Sequence, residues 1–398
     1  MRILFLCIIL LISPQSPAQD MLPVGKQIVD EFDIFLDFTH QHDAVSVQHL
    51  GSGDWQVINH SNINLGYTQA TVWIRFRLLN PQPEPVHRLL DVTYPLLDFV
   101  SLYEISGNQL PTLIMRSGDR LPFTQRTFKH PGFISALNLQ ARQQHKYLIK
   151  IRSGAPIQTE LILWSTDAFQ GHYRLQSSIL FFYLGLILSS AAFNFLVFLY
   201  LKEKVYLAYS LYAASFALFM TSQHAILFEY IFPAAPELHH WSQLLLSNMA
   251  ISFTALFNLL FLKIRTFSRS GWGLLAFIIL PVLLLLSSSA MAFTMAIQVT
   301  VFGALIIIPA IFVIGLFNVK KNTDGWLFIA AWVCLFIGIV TFLFSKIGLI
   351  GFNPLINHSI LIGSALELLI FAAALARRIH SEKVKRIQAQ QIIIEGSK

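Results

Sequence analysis

Cysteine is nearly absent: two occur in 398 residues. Cys7 lies in a segment expected to be removed on export, and Cys334 lies inside an apolar run. No disulfide is therefore available to an exported domain, and no Cys/His spacing suited to zinc occurs. Charge is scarce too, with Asp, Glu, Lys and Arg making up 12% of the chain. No Ser/His/Asp constellation, carboxylate pair, nucleotide-binding motif, internal repeat or low-complexity block stands out, so no catalytic activity and no cofactor are expected. What fills the space instead is apolar. The chain is 55% hydrophobic with a mean hydropathy of +0.60, which suits a polytopic membrane protein and not a soluble one.

The stretch from Ser177 to Arg378 reads as seven apolar segments: Ser178–Leu201, Val205–Ala225, Trp241–Leu262, Trp272–Ala290, Phe293–Phe317, Trp326–Ser345 and Leu355–Ala376. Each approaches the roughly 20 residues a helix needs to cross about 30 Å of hydrocarbon. Backbone in lipid must satisfy its own hydrogen bonds, so such segments are helices. The spacing predicts an all-α seven-helix transmembrane bundle over residues 177–378.

Basic residues orient it. Lys202 and Lys204 follow the first segment, Lys263, Arg265 and Arg269 the third, Lys320 and Lys321 the fifth, and Arg377, Arg378, Lys383, Lys385 and Arg386 the seventh. The alternate loops are nearly bare. Ile226 to His240 and Ser287 to Ala292 have no Lys or Arg, and the last of these loops has only Lys346. The positive-inside rule then puts the N-terminal part outside and the C-terminus in the cytoplasm. The net charge of +7 is explained by these helix ends, so nucleic acid is not an expected partner.

Residues 1–18 read as a secretory signal, with Arg2 as the basic start, Ile3 to Ile12 as the apolar core and Ser16-Pro17-Ala18 at the cleavage positions. An uncleaved anchor is the alternative. Residues 19–173 differ in kind. In Trp73-Ile74-Arg75-Phe76-Arg77-Leu78, Ile74, Phe76 and Leu78 share one face while Trp73, Arg75 and Arg77 share the other. Tyr147 to Arg152 alternates in the same way. Leu89–Thr93, Phe99–Ile105, Phe133–Leu139 and Glu160–Trp164 are further strands, separated by turn chemistry at Asn80-Pro81, Gly107-Asn108, Ser117-Gly118-Asp119 and Ser153-Gly154. The pattern predicts an antiparallel, jelly-roll-like β-sandwich in the periplasm. Thr166 to Gln176 reads as a connector too short to flex, so that domain and bundle are mechanically coupled. Residues 379–398 read as a short helical tail, either the start of a coiled coil or a solvated basic segment beside anionic lipid.

Several motifs, in their order and spacing, resemble a known family. Trp73-Ile74-Arg75-Phe76, Leu79-Asn80-Pro81, Tyr94-Pro95-Leu96-Leu97-Asp98, Leu102-Tyr103 and Gly118-Asp119-Arg120-Leu121-Pro122-Phe123 with Arg126 resemble the type 2 extracellular domain of the bacterial seven-transmembrane receptors with diverse intracellular signalling modules. In the bundle, Asn194-Phe195-Leu196, Tyr206-Leu207-Ala208-Tyr209, Tyr230-Ile231-Phe232-Pro233, Ala365-Leu366-Glu367-Leu368-Leu369 and Ala376-Arg377-Arg378-Ile379 are similar to the same family. The resemblance implies an inner-membrane receptor with a jelly-roll sensor of a small, carbohydrate-like or other molecule. It also implies a seven-helix transducer and a cytoplasmic cyclase, kinase or phosphatase. The sequence ends where that output would begin, so a separate signalling protein or an output domain missing from a fragment is expected, with a homodimer as a further candidate partnership.

For sugar recognition, the suitable residue types are Trp73, Arg75, Tyr94, Asp98, Tyr103, Asp119 and Arg126, since aromatic faces stack and planar polar groups meet hydroxyls. Core packing and turn chemistry are the competing explanations for them. In the bundle, Glu367 is the informative residue, because an intramembrane carboxylate is costly and must be protonated or paired. Asn194 or His358 would be its partner, either as structural glue or as a signalling switch. Asn248 and Asn258 read as interhelical hydrogen bonders. His224, Glu237, His239 and His240 hint at an outer metal site, but a solvated loop explains them better and no metal is expected. A transporter or channel, with Pro281 and Pro309 interrupting helices four and five, and an envelope assembly or adhesion protein are the rival functions.

Overall fold

A computed structural model describes residues 25–377 apart from 30, 59–61, 108, 289–290, 320–324, 352–355, 357, 372 and 375–376. The expected signal segment and cytoplasmic tail lie outside the described residues.

The N-terminal half is an antiparallel β-sandwich. Its strands are β1 (Lys26–Ile28), β2 (Phe32–Asp37), β3 (Gln56–Ile58), β4 (Asn62–Gly66), β5 (Thr71–Leu79), β6 (Val86–Val92), β7 (Phe99–Ile105), β8 (Thr112–Ser117), β9 (Phe133–Leu139), β10 (Gln144–Arg152) and β11 (Ile157–Trp164). One sheet runs β3-β2-β5-β10-β7-β8; the other runs β1-β11-β6-β9, with β4 beside the first half of β11. The period-two reading holds at the centre. Ile74, Phe76 and Leu78 of β5 and Tyr147, Ile149 and Ile151 of β10 point into the core between the sheets. Trp73 and Leu148 point the other way, under helix α1 (Ala44–Gln48) and Trp55.

The outer face of the second sheet is covered by the start of the first membrane helix. Helix α2 (Thr166–Leu201) is a single 36-residue helix, capped by Ser165, whose hydroxyl accepts from the Ala168 amide at 3.3 Å. At 1.5 Å per residue it is about 54 Å long, against about 30 Å of hydrocarbon, so its N-terminal turns stand clear of the bilayer. There Phe169 packs with Leu89, Ile134, Ile162 and Trp164. The expected connector is thus rigid helix.

The remaining helices are α3 (Lys204–Gln223), α4 (Ile226–Tyr230), α5 (Pro236–Phe261), α6 (Arg269–Ser287), α7 (Phe293–Asn318), α8 (Gly325–Lys346) and α9 (Ser359–Phe371). Among the described residues six helices, α2, α3, α5, α6, α7 and α8, are long and apolar enough to cross a membrane, and α9 is the described apolar part of the expected seventh segment. Pro281 and Pro309 do not interrupt their helices: α6 and α7 run unbroken through them, which corrects the sequence reading. A membrane helix tolerates proline because neighbours and local adjustment satisfy the freed carbonyl. Small residues set the α8–α9 packing. A Cβ on Gly338 would lie 2.6 Å from Ser359 O and one on Gly363 2.6 Å from Cys334 O, so the backbones meet as small residues in membranes permit.

The sandwich sits on the bundle end formed by the loops poor in basic residues. Thr124 donates to Pro233 O at 3.4 Å, and Asn64 Nδ2 donates to Ser345 O at 3.1 Å and Ile350 O at 2.8 Å. Asn64 so ties the sandwich to the end of α8 and to the loop that follows it.

One glycine fixes this surface. Gly118 has φ +153, and a Cβ there would lie 2.0 Å from Asp98 O. Gly107 has φ +57 but open space around it. Gly118→Ala is therefore expected to lower the thermal unfolding midpoint of the full chain markedly, while Gly107→Ala costs only the roughly 1–2 kcal/mol of a left-handed residue. Equal shifts for the two variants in a melting experiment would contradict this packing.

Candidate functional site

The seven residues singled out for ligand contact separate into two groups. Trp73, Arg75 and Tyr103 lie on the far face of the six-stranded sheet. Trp73 has 0% of its surface exposed, with Lys150 Nζ 4.8 Å from its ring centre and Tyr103 beside it at 6.4 Å. Arg75 is held by Asp33, through Nη2–Oδ2 at 2.7 Å, and lies 4.3 Å over Trp55. These side chains serve packing under α1.

Tyr94, Asp98, Asp119 and Arg126 face the bundle side. Tyr94 is buried, and its hydroxyl accepts from Lys346 Nζ at 2.8 Å, with that nitrogen 4.3 Å from the centre of its ring. Arg126 lies over Phe123, Phe133 and Phe228, and its Nη1 donates to His130 O at 2.8 Å and Pro131 O at 2.6 Å. Burial lowers its pKa to about 10, which still leaves it charged. Arg126 binds the loop before β9 to Phe228 of α4 and so helps to dock the domain.

Asp98 and Asp119 meet His240 of α5. His240 Nε2 lies 3.2 Å from Asp119 Oδ1. His239 and His240 are fully enclosed, not in a solvated loop, which corrects the sequence reading: α5 begins at Pro236 and turns both rings inward against the domain. His239 stacks on Phe228 at 4.7 Å and bonds Gln243 at 2.9 Å. Glu237, by contrast, points out to Arg120, Nη1–Oε1 3.2 Å.

Beside this seam lies a cavity of about 680 Å³. Lys26, Asp91, Glu160 and Ile162 of the second sheet close it on one side. His172, Leu175, Ile179 and Phe182 of α2, Met220 and Gln223 of α3, and Ile360, Leu361 and Ala365 of α9 form its other walls. The sequence reading missed it, because its polar residues come from strands and its apolar ones from three separate helices. Asp91 is buried, and its Oδ1 has no hydrogen-bond partner. Burial raises its pKa to about 7, with the Trp164 indole and then the Lys26 charge only partly opposing this. Burial also raises Glu160, and it depresses His130 to about 4. A cavity with an unpaired polar atom and perturbed titratable groups is a binding-site signature.

Inside the bundle, Glu367 of α9 is paired with Tyr212 of α3, whose hydroxyl lies 2.9 Å from Oε1 and 2.8 Å from Oε2. The expected partners Asn194 and His358 do not fill this role. Asn194 donates back to Ser190 O of its own helix at 2.9 Å, and His358 stacks with His224 at the other end of the contact. One turn away, Tyr183 of α2 hydrogen-bonds Ser364 of α9. Asn258 likewise bonds its own helix, whereas Asn248 reaches across to Thr300 of α7 at 3.2 Å.

Residues 176–378 match the family model described as 7TM diverse intracellular signalling, and residues 14–165 match the model described as 7TMR-DISM extracellular 2. No curated protein matches the chain.

Asp91 gives a signed prediction. The folded protein holds the Asp91 proton up to about pH 7, whereas the unfolded chain releases it near 3.8. Stability is therefore lost as pH rises through that window, and the loss is complete above it, with a slope of roughly 1.4 kcal/mol for each pH unit inside the window. Asp91→Asn is expected to melt higher than the parent at pH 8, with the gap narrowing towards pH 5. A gap independent of pH would contradict a buried, protonated Asp91.

Proposed function

The chain belongs to the 7TM diverse intracellular signalling family, and from that premise we propose that it is an inner-membrane receptor whose small-molecule ligand enters the cavity between the sandwich and the helices. One observation carries the reading: a cavity of about 680 Å³, within the range that small ligands use, is walled jointly by the exported domain and by α2, α3 and α9. A ligand there touches both halves of the molecule at once.

The lining describes the ligand class. Lys26, Asp91, Glu160 and His172 would meet a polar group, a sugar hydroxyl or an amine included, and Asp91 Oδ1 lacks a donor that such a group supplies. Leu175, Ile179, Phe182 and Ile362 would meet an apolar part. The combination suits an amphipathic molecule better than a bare sugar.

Transmission follows from the walls. Ligand volume inserted between α3 and α9 bears on the contact that Tyr212 and Glu367 hold closed. Occupancy would shift the balance between two packings of these helices, and α9 leads on towards Arg377 and the cytoplasmic side. There a separate signalling protein, or an output domain on a longer chain, would read the change. A transporter would draw on broken helices, and α6 and α7 run continuous through Pro281 and Pro309.

Thermal shift of the full chain in nanodiscs, screened against sugars, amino acids and lysolipids, tests the proposal. Compounds that raise the melting point are expected to lose their effect when Ala365→Phe fills the cavity and to keep it in Trp73→Phe. Glu367→Leu should preserve the binding shift but uncouple it from a reporter fused behind the tail. Compounds whose shift survives Ala365→Phe would place the ligand elsewhere and overturn the reading.

A further inference from the structure

We propose that Asp98, Asp119 and His240 bind a divalent transition-metal ion of the zinc class, which ties the exported domain to helix α5. The three side chains each offer one ligand atom, and these atoms all lie within 4.8 Å of one another. They come from three places in the chain. Asp98 precedes β7, Asp119 follows β8, and His240 lies in the first turns of α5.

The backbone brings the two carboxylates together. Asp119 N donates to Leu97 O at 2.9 Å and Arg120 N to Asp98 O at 3.3 Å. Gly118 allows this approach, since any Cβ there would strike Asp98. The docking of α5 then supplies the imidazole.

What points to an ion is the state of the polar atoms. Asp119 and His240 are 1% and 2% exposed. Asp119 Oδ1 and both ring nitrogens of His240 are buried without a hydrogen-bond partner. Asp119 Oδ1 and His240 Nε2 lie 3.2 Å apart, close but misaligned for a hydrogen bond. That separation is close to the edge of roughly 3.3 Å between two ligands that each stand about 2.0 Å from a tetrahedral zinc. A buried atom without a partner is costly, and an ion between them satisfies both.

Charge and donor type narrow the ion. Two carboxylates and a neutral imidazole balance a divalent cation. Asp98 Oδ2 also accepts from the Gly154 amide at 3.0 Å, which orients it. The nearest cation, Arg120, stands 3.8 Å from Asp98, is drawn to Glu237 at 3.2 Å and lies over Phe293 at 5.1 Å. Calcium and magnesium prefer an all-oxygen shell of six or more ligands, whereas one imidazole with two carboxylates suits zinc, cobalt or nickel. Three protein ligands leave a fourth position for water.

The test uses the purified full chain in detergent, stripped with chelator and titrated with Co²⁺ and then Zn²⁺. One equivalent of Co²⁺ with tetrahedral visible absorption, displaced by Zn²⁺, is expected. Both this signal and a Zn²⁺-induced rise in melting temperature should be lost in Asp119→Asn and His240→Ala and kept in Glu237→Gln. Melting curves of the metal-free variants report whether each is folded. Should the parent bind less than one equivalent, or should the folded Asp119→Asn bind as the parent does, the cluster is an ion pair only and the proposal falls.

Discussion

The Lys346 amino group is buried where the end of α8 meets the sandwich, and a buried amine must find an oxygen. Tyr94 provides it, with its hydroxyl at 2.8 Å and its ring face at 4.3 Å. Much of the architecture depends on that constraint. Tyr94 can reach α8 only if the sandwich lies flat on the bundle, and this position also brings Asn64 to the carbonyls of Ser345 and Ile350 and Asp119 to His240. Phe123 packing on Phe228, and Phe169 packing on Trp164, close the seam at its apolar points. A domain joined to its bundle by one helix would otherwise be free to tilt.

A rigid seam makes the cavity beside it meaningful. Its walls belong to both halves, so a molecule within it touches the sandwich and the helices α2, α3 and α9 at once. Those helices are held by Tyr212–Glu367 and Tyr183–Ser364, polar contacts in a setting where each unpaired group is costly. Polar pairs between helices are directional, so a small separation breaks them outright. That is the property a two-state relay needs.

Much of this was legible from sequence where one physical period dominates. β5 and β10 alternate because they are central strands with a core on one side, and Phe99–Ile105 and Phe133–Leu139 were bounded as the structure has them. The strands β1, β3, β4 and β8 were missed, being short or largely exposed, and so was β2 between β3 and β5, where Phe35 puts an apolar residue on the outer face and blurs the alternation. The apolar helices followed from hydropathy, but the N-terminal extension of α2 did not, because its residues are polar and its burial is against the domain. Glu367 stood out as a carboxylate in an apolar run, yet its partner did not, since a tyrosine in a membrane helix gives no signal of what it faces. The His240 cluster and the cavity join residues far apart in the chain, and no local pattern encodes them.

The central claim is that the Tyr94–Lys346 contact couples the two halves energetically. A double-mutant cycle with Tyr94→Phe and Lys346→Met, read as the unfolding free energy of the full chain in bicelles, tests it most directly. A coupling of about 1 kcal/mol or more is predicted, as for a buried hydrogen bond. Effects that add to within about 0.5 kcal/mol would contradict it.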